Sequence, residues 1–120
     1  MKEIILVTSF GSTVDSARDN QIFPVVEAIR KAHPEHEVRL AFTSRIVIKR
    51  LKDRNIVFQN EIEAMESIVA EGYERVIVQP THLVGGAEFD KLRKNIMAFK
   101  GQGSVQEIVF GRPLLYFMGQ

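Results

Sequence analysis

No cysteine occurs in the 120 residues. That removes a disulfide framework, a thiolate metal site and a cysteine nucleophile at once, leaving imidazole, carboxylate or carbonyl groups to hold any metal. Nor is there an excess of one charge. Sixteen Lys and Arg stand against fifteen Asp and Glu, a formal net charge of +1, too balanced for electrostatic capture of nucleic acid. No apolar run approaches the roughly 20 residues that a membrane span needs. Ile4 to Val7 is too short for a signal h-region, and no small-residue cleavage site follows it. These absences predict a cytoplasmic protein with neither nucleic acid nor membrane as partner. Internal repeats and low-complexity tracts are missing too. With 45% hydrophobic and 26% charged residues, the chain reads as a single folded domain over 1–120.

What is present alternates between short β-branched runs and longer amphipathic stretches. Ile4 to Thr8 is continuously apolar up to its last residue, the pattern of a strand buried on both faces. Ser9-Phe10-Gly11-Ser12-Thr13 breaks it with a strand-to-helix turn. Ile22, Val25, Val26 and Ile29 have helical spacing, but Pro24 in their midst predicts a kink or restart near Asn20, and His33-Pro34 ends the helix. Glu37 to Phe42 alternates charged and apolar residues, as a strand near a sheet edge does. Thr43-Ser44 can cap a short helix containing Ile46, Ile48 and Leu51. Asn60 and Glu63 have capping-box spacing, Ile62, Met65, Ile68 and Val69 follow on one face, and Gly72 is a C-terminal stop. Arg75 to Gln79 is a third strand. Phe89, Leu92, Ile96 and Phe99 line a further helix ended by Gly101, and Val105 to Phe110 is a fourth strand. This order predicts an α/β fold: a four-stranded parallel sheet in the order 2-1-3-4, flanked by helices, with Ile5, Val7, Val76, Val78 and Ile108 in its core.

In such sheets ligands bind beyond the carboxyl ends of the strands. Two loops with unusual chemistry fall there: Ser9 to Thr13, and Thr81 to Glu88. His82 leads the candidates, because imidazole can bind a borderline divalent metal or take a proton near neutral pH. A hydrogen-bonded structural histidine is the competing reading. Glu88 could orient His82 or accept a proton, and equally suits the first turn of a helix as dipole compensation. The Ser9–Thr13 loop could present N–H groups and hydroxyls to an anion, or simply cap a helix. Neither a dinucleotide fingerprint, a P-loop nor a nucleophile elbow is present. Arg45, Lys49, Arg50, Lys52 and Arg54 form a basic cluster that is either a solvated face or a lure for an acidic small molecule. His33 and His36 fall at the opposite end of the sheet and read as surface residues. The apolar tail Leu114-Leu115-Tyr116-Phe117-Met118 reads as a surface meant to be covered, and predicts self-association.

Taken together, Ile5 to Thr13, Ala41-Phe42-Thr43-Ser44, Glu71-Gly72-Tyr73, Gln79 to Phe89 and Gly111-Arg112-Pro113-Leu114-Leu115 occur in the order seen in the anaerobic sirohydrochlorin cobaltochelatases, a tetrapyrrole chelatase family that the chain resembles throughout. The match is to the N-terminal lobe of a two-lobed protein that binds its tetrapyrrole between similar α/β lobes. The resemblance implies insertion of Co²⁺ into sirohydrochlorin during cobalamin synthesis, with Fe²⁺ or Ni²⁺ as alternative substrate metals. It implies that His82 is a metal ligand and a base toward the pyrrole N–H groups. It also implies that Ser9, Gly11, Ser12, Thr43 and Ser44 face the substrate's carboxylates, with Glu88 nearby. Since the family's second metal-site histidine belongs to the other lobe, a homodimer or a separate second lobe is expected to complete the site. A non-catalytic metal- or tetrapyrrole-binding lobe is the alternative.

Overall fold

The computed structural model describes residues 1–81 and 86–111. His82 and the apolar tail Leu114 to Met118 lie outside the described residues. The chain runs β1 (Glu3–Ser9), α1 (Asp15–Ala17), a π-helical turn (Arg18–Ile22), α2 (Phe23–Ala32), β2 (Glu37–Phe42), α3 (Arg45–Lys52), α4 (Glu61–Ala70), β3 (Arg75–Pro80), α5 (Gly86–Met97) and β4 (Glu107–Phe110). The strands form one sheet in the order β2-β1-β3-β4, every neighbouring pair parallel. This is the α/β architecture expected from the alternation of strand and helix patterns.

The two-sided burial of β1 follows from side chains that alternate across the sheet. Ile4 and Leu6 pack with Val76 and Val78 of β3 against Ala64, Met65 and Ile68 of α4 and Leu92 and Ile96 of α5. Ile5 and Val7 point the other way, toward Val26 of α2, beside Val38. β2, at one edge, carries Glu37 and Arg39 in alternation with Val38 and Leu40. The five expected core residues, Ile5, Val7, Val76, Val78 and Ile108, are all buried.

Helix boundaries follow local chemistry. Pro24 sits in the first turn of α2, where a missing N–H breaks no intrahelical bond, and the chain reaches it through the π-helical turn. The restart therefore falls at Phe23, just beyond the expected Asn20. α4 carries the complete capping box: the Asn60 side chain accepts from Glu63 N at 2.8 Å, and Glu63 Oε1 accepts from Asn60 N at 2.9 Å. The last two elements are shorter than their apolar patterns suggest. α5 closes at Met97, so Phe99 is buried from the turn that follows. Val105 is engaged in that turn, accepting from Gly101 N at 2.8 Å, and β4 begins only at Glu107.

One glycine is dictated by packing as well as by backbone. Gly11 has φ +96°, and a Cβ there would meet the Phe42 ring at 2.7 Å. Phe42 is fully buried and stacks on Phe58 at 4.2 Å between centroids, so it has little room to yield. Gly11→Ala combines a disfavoured φ with a steric conflict and should cost about 1–3 kcal/mol in urea or thermal unfolding. Unchanged stability would mean that the ring gives way freely.

Candidate functional site

The carboxyl ends of β1, β2 and β3 are laced together by short contacts. Thr43 N donates to Ser9 O at 2.8 Å and Ser44 N to Phe10 O at 3.2 Å, joining the loop after β1 to the end of β2. Thr81, just beyond β3, donates both its backbone N–H and its hydroxyl to Thr8 O at 3.0 Å. His82 follows directly but lies outside the described residues.

Several predicted site hydroxyls are occupied in shaping their own loops. The buried Ser9 accepts at Oγ from Gly11 N, Ser12 Oγ accepts from Val14 N, and Ser44 Oγ caps α3 by accepting from Val47 N. A hydroxyl that accepts in this way still carries a proton to donate. Two further braces fix the first loop. The buried Arg18 donates to Ser12 O at 2.9 Å and pairs with Asp15, while Arg54 donates to Thr13 O at 2.8 Å and to Asp15 at 3.0 Å. The Arg54 hydrogen bond, followed by that from Arg18, holds the Asp15 carboxyl below its ordinary range. Arg54 thus belongs to the scaffold of this loop, whereas Lys49, Arg50 and Lys52 occupy the last turn of α3, where positive charge suits the helix dipole.

Beside these loops opens a cleft of about 180 Å³ lined by Phe10, Thr43, Arg45, Glu61, Glu88, Lys91 and Leu92. It brings together two of the predicted binding residues, Thr43 and Glu88, with Phe10 and Leu92 as apolar wall and Arg45 and Lys91 as cations. At this size it takes a substituent or an edge; whole-ligand pockets usually run to about 300–1,000 Å³.

Glu61 organises the floor. Its carboxylate accepts from both terminal guanidinium nitrogens of Arg45, at 2.7 and 3.0 Å, and from the Asn95 side-chain amide at 3.0 Å. Arg45 also donates to Thr43 O at 2.8 Å. The Glu61 side chain is 4% exposed against 46% for Arg45, so the pair runs from the buried floor to the open rim. Burial by itself would raise the Glu61 pKa; the hydrogen bonds from Arg45, Asn95 and its own backbone outweigh it and hold the carboxyl below the ordinary glutamate value. Glu61 also opens α4, where negative charge meets the positive end of the helix. In the sequence Arg45 stands out only as part of a basic cluster, and Glu61 only inside a capping-box segment. Phe10, Lys91 and Asn95 carried no signal of their own.

At the opposite end of the sheet, His33 is exposed as expected, but His36 is half-buried. Its Nε2 lies 3.1 Å from Glu3 Oε1 and its Nδ1 3.0 Å from Glu35 Oε1. Among the described residues, no helix is long and apolar enough to cross a membrane.

Comparison with known proteins matches residues 3–120 to the family described as cobalt chelatase (CbiK). The chain is 27% identical over 116 residues to a sirohydrochlorin cobaltochelatase of Salmonella typhimurium, covering 96% of this chain and 43% of that protein. It is 30% identical over 114 residues to the sirohydrochlorin cobaltochelatase CbiKC of Nitratidesulfovibrio vulgaris, covering 95% of this chain and 40% of the other. It therefore spans about two fifths of the length of these curated relatives.

The Glu61 network makes a pH-dependent prediction. Because the folded-state pKa of Glu61 is depressed, its stabilisation is complete above the unfolded glutamate pKa of about 4.3 and is lost as pH falls through the lower folded value. Glu61→Gln should cost about 1–3 kcal/mol at neutral pH, since the Arg45 charge loses its partner at a rim that water only half reaches. It should also unfold with a shallower loss of stability between neutral pH and pH values below 4. Parallel acid-dependence curves for the two proteins would show that the carboxylate contributes nothing in its charged form.

Proposed function

This chain belongs to the cobalt chelatase family, and we propose that it is a tetrapyrrole-binding chelatase lobe that takes an edge of sirohydrochlorin into the carboxyl-end cleft and delivers Co²⁺, as substrate metal, to the ring. The observation that carries this reading is the cleft itself: apolar Phe10 and Leu92 stand beside Lys91, Glu88 and the Arg45–Glu61 pair at the end of a parallel sheet where ligands collect. A tetrapyrrole bearing ionised carboxylate substituents is flat, apolar across its faces and negatively charged around its rim. Phe10 offers contact to a ring edge, while the Lys91 ammonium and the outward part of Arg45 suit a carboxylate. The greater part of the macrocycle then faces outward. A second wall, from another copy of this chain or from another lobe, covers it.

Metal insertion requires two pyrrole protons to leave while the ion passes from weak protein ligands to four ring nitrogens. His82 is the residue we assign to that exchange, because neutral imidazole binds a borderline divalent ion without caging it and accepts a proton when the ion departs. Glu88, in the first turn of α5 at the cleft, is a carboxylate that a leaving proton can reach through water. Cobalt is the metal favoured here over iron or nickel, given the cobaltochelatase relatives.

Lys91→Ala should weaken sirohydrochlorin binding about three- to tenfold in an absorbance titration, the worth of one partly exposed charge-assisted contact. His82→Ala should leave that binding nearly unchanged while slowing Co²⁺ insertion by about 10²-fold or more. Wild-type insertion rates in His82→Ala would remove His82 from the reaction. Tetrapyrrole binding without any insertion by the unaltered chain would make it a binding lobe alone.

A further inference from the structure

The turn between α2 and β2 carries a donor set that the proposed chelatase reaction does not use. His33, Glu35 and His36 each offer one ligand atom, and the three atoms lie within 4.8 Å of one another. Their arrangement is built into the backbone. His36 N donates to His33 O at 3.0 Å, closing a four-residue turn with Pro34 at its second position, so the first and fourth side chains come to the same side. The rings of His33 and His36 meet edge to face with centroids 5.8 Å apart.

The surroundings of His36 single the site out. Both of its ring nitrogens face carboxylate oxygens, Nε2 toward Glu3 at 3.1 Å and Nδ1 toward Glu35 at 3.0 Å. A neutral imidazole donating Nε2–H to Glu3 turns its Nδ1 lone pair onto the Glu35 carboxylate, and two lone pairs then oppose each other. A second ring proton or a metal ion between them relieves that opposition. Glu3 is itself fixed by Arg75, whose guanidinium donates to Glu3 Oε2 at 2.5 Å and also lies 3.5 Å from Glu107. Glu3, His36 and an ion would thus form a carboxylate–histidine–metal line, the usual support of a ligating imidazole. Metal–ligand bonds of about 2.0–2.2 Å set donors on one ion roughly 3–4 Å apart, within small side-chain rotations of the present spacing.

We propose that His33, Glu35 and the Nδ1 of His36 form a surface site for a divalent first-row transition ion, with water completing its coordination and Glu3 as a positioning residue behind His36. Two imidazoles and one carboxylate suit Zn²⁺, Co²⁺, Ni²⁺ or Cu²⁺ and disfavour Mg²⁺ and Ca²⁺, which prefer all-oxygen sets. The site lies at the amino-terminal end of the strands, away from the cleft, and does not depend on the chelatase reading.

The chain has three histidines, so a His82→Ala background leaves only this pair. In that background, calorimetric titration of the full chain with Zn²⁺ and with Ni²⁺ should show one ion bound per chain. His33→Ala, which leaves the Glu3–His36 contact in place, and Glu35→Gln should each weaken binding about tenfold or more. Glu3→Gln should weaken it about 10- to 100-fold while circular dichroism reports an intact fold. Absence of binding at millimolar ion, or binding that His33→Ala does not alter, would overturn the proposal. Because these titrations contain no tetrapyrrole and no His82, their failure is distinct from a failure of the chelatase reading.

Discussion

The Glu61 carboxylate is the point on which the carboxyl-end face of this chain depends. It sits at the first position of α4, buried, and ties together the segment after β2 through Arg45, the start of α3 on which Arg45 stands, and α5 through Asn95. Arg45 carries the connection on to the backbone at Thr43. A buried carboxylate without such partners would be protonated or would open the structure to water; with them it stays charged and specifies how three helices meet. The cleft walls, Thr43 and Glu88 included, inherit their positions from that junction. An apolar substitute could fill the volume, but it would supply neither the direction of the Arg45 side chain nor the charge balance at the rim.

Much of the fold was legible from local pattern because its physics is local. A continuously apolar β1 demands cover on both faces, and the alternating β2 demands an edge, which together place strand 1 inside and strand 2 outside. Caps and stops, as at Asn60, Glu63 and Gly72, are decided within a few residues of themselves. The shortened α5 and β4 were harder to foresee. Phe99 and Val105 are buried like members of regular elements, yet they reach the core from a turn, and burial pattern alone does not separate the two. The site was legible only in part. Thr43 and Glu88 could be placed because strand ends are predictable. The Glu61 junction depends on partners 16 and 34 residues away, and no spacing rule brings these together.

The two ends of the sheet have different chemistries. The carboxyl end combines an apolar wall, Phe10 and Leu92, with the cations Arg45 and Lys91 and the carboxylates Glu61 and Glu88. The amino end gathers Glu3, Glu35, His36, Arg75 and Glu107 into a network of alternating charge around one half-buried imidazole. If the proposed sites at both ends bind metal, a measured stoichiometry must be divided between them. Substitution of single histidines provides that division, since cysteine is missing and no thiolate competes.

As proposed, sirohydrochlorin enters at the carboxyl end through the cleft between the β1 loop and α5. Backbone amide shifts followed by two-dimensional NMR during a sirohydrochlorin titration test it most directly. The largest changes should fall on Phe10, Thr43, Arg45, Glu88 and Lys91, with the amides of Glu3, His36 and Glu74 nearly still. Saturable binding that moves the second group and leaves the first unchanged would contradict the account.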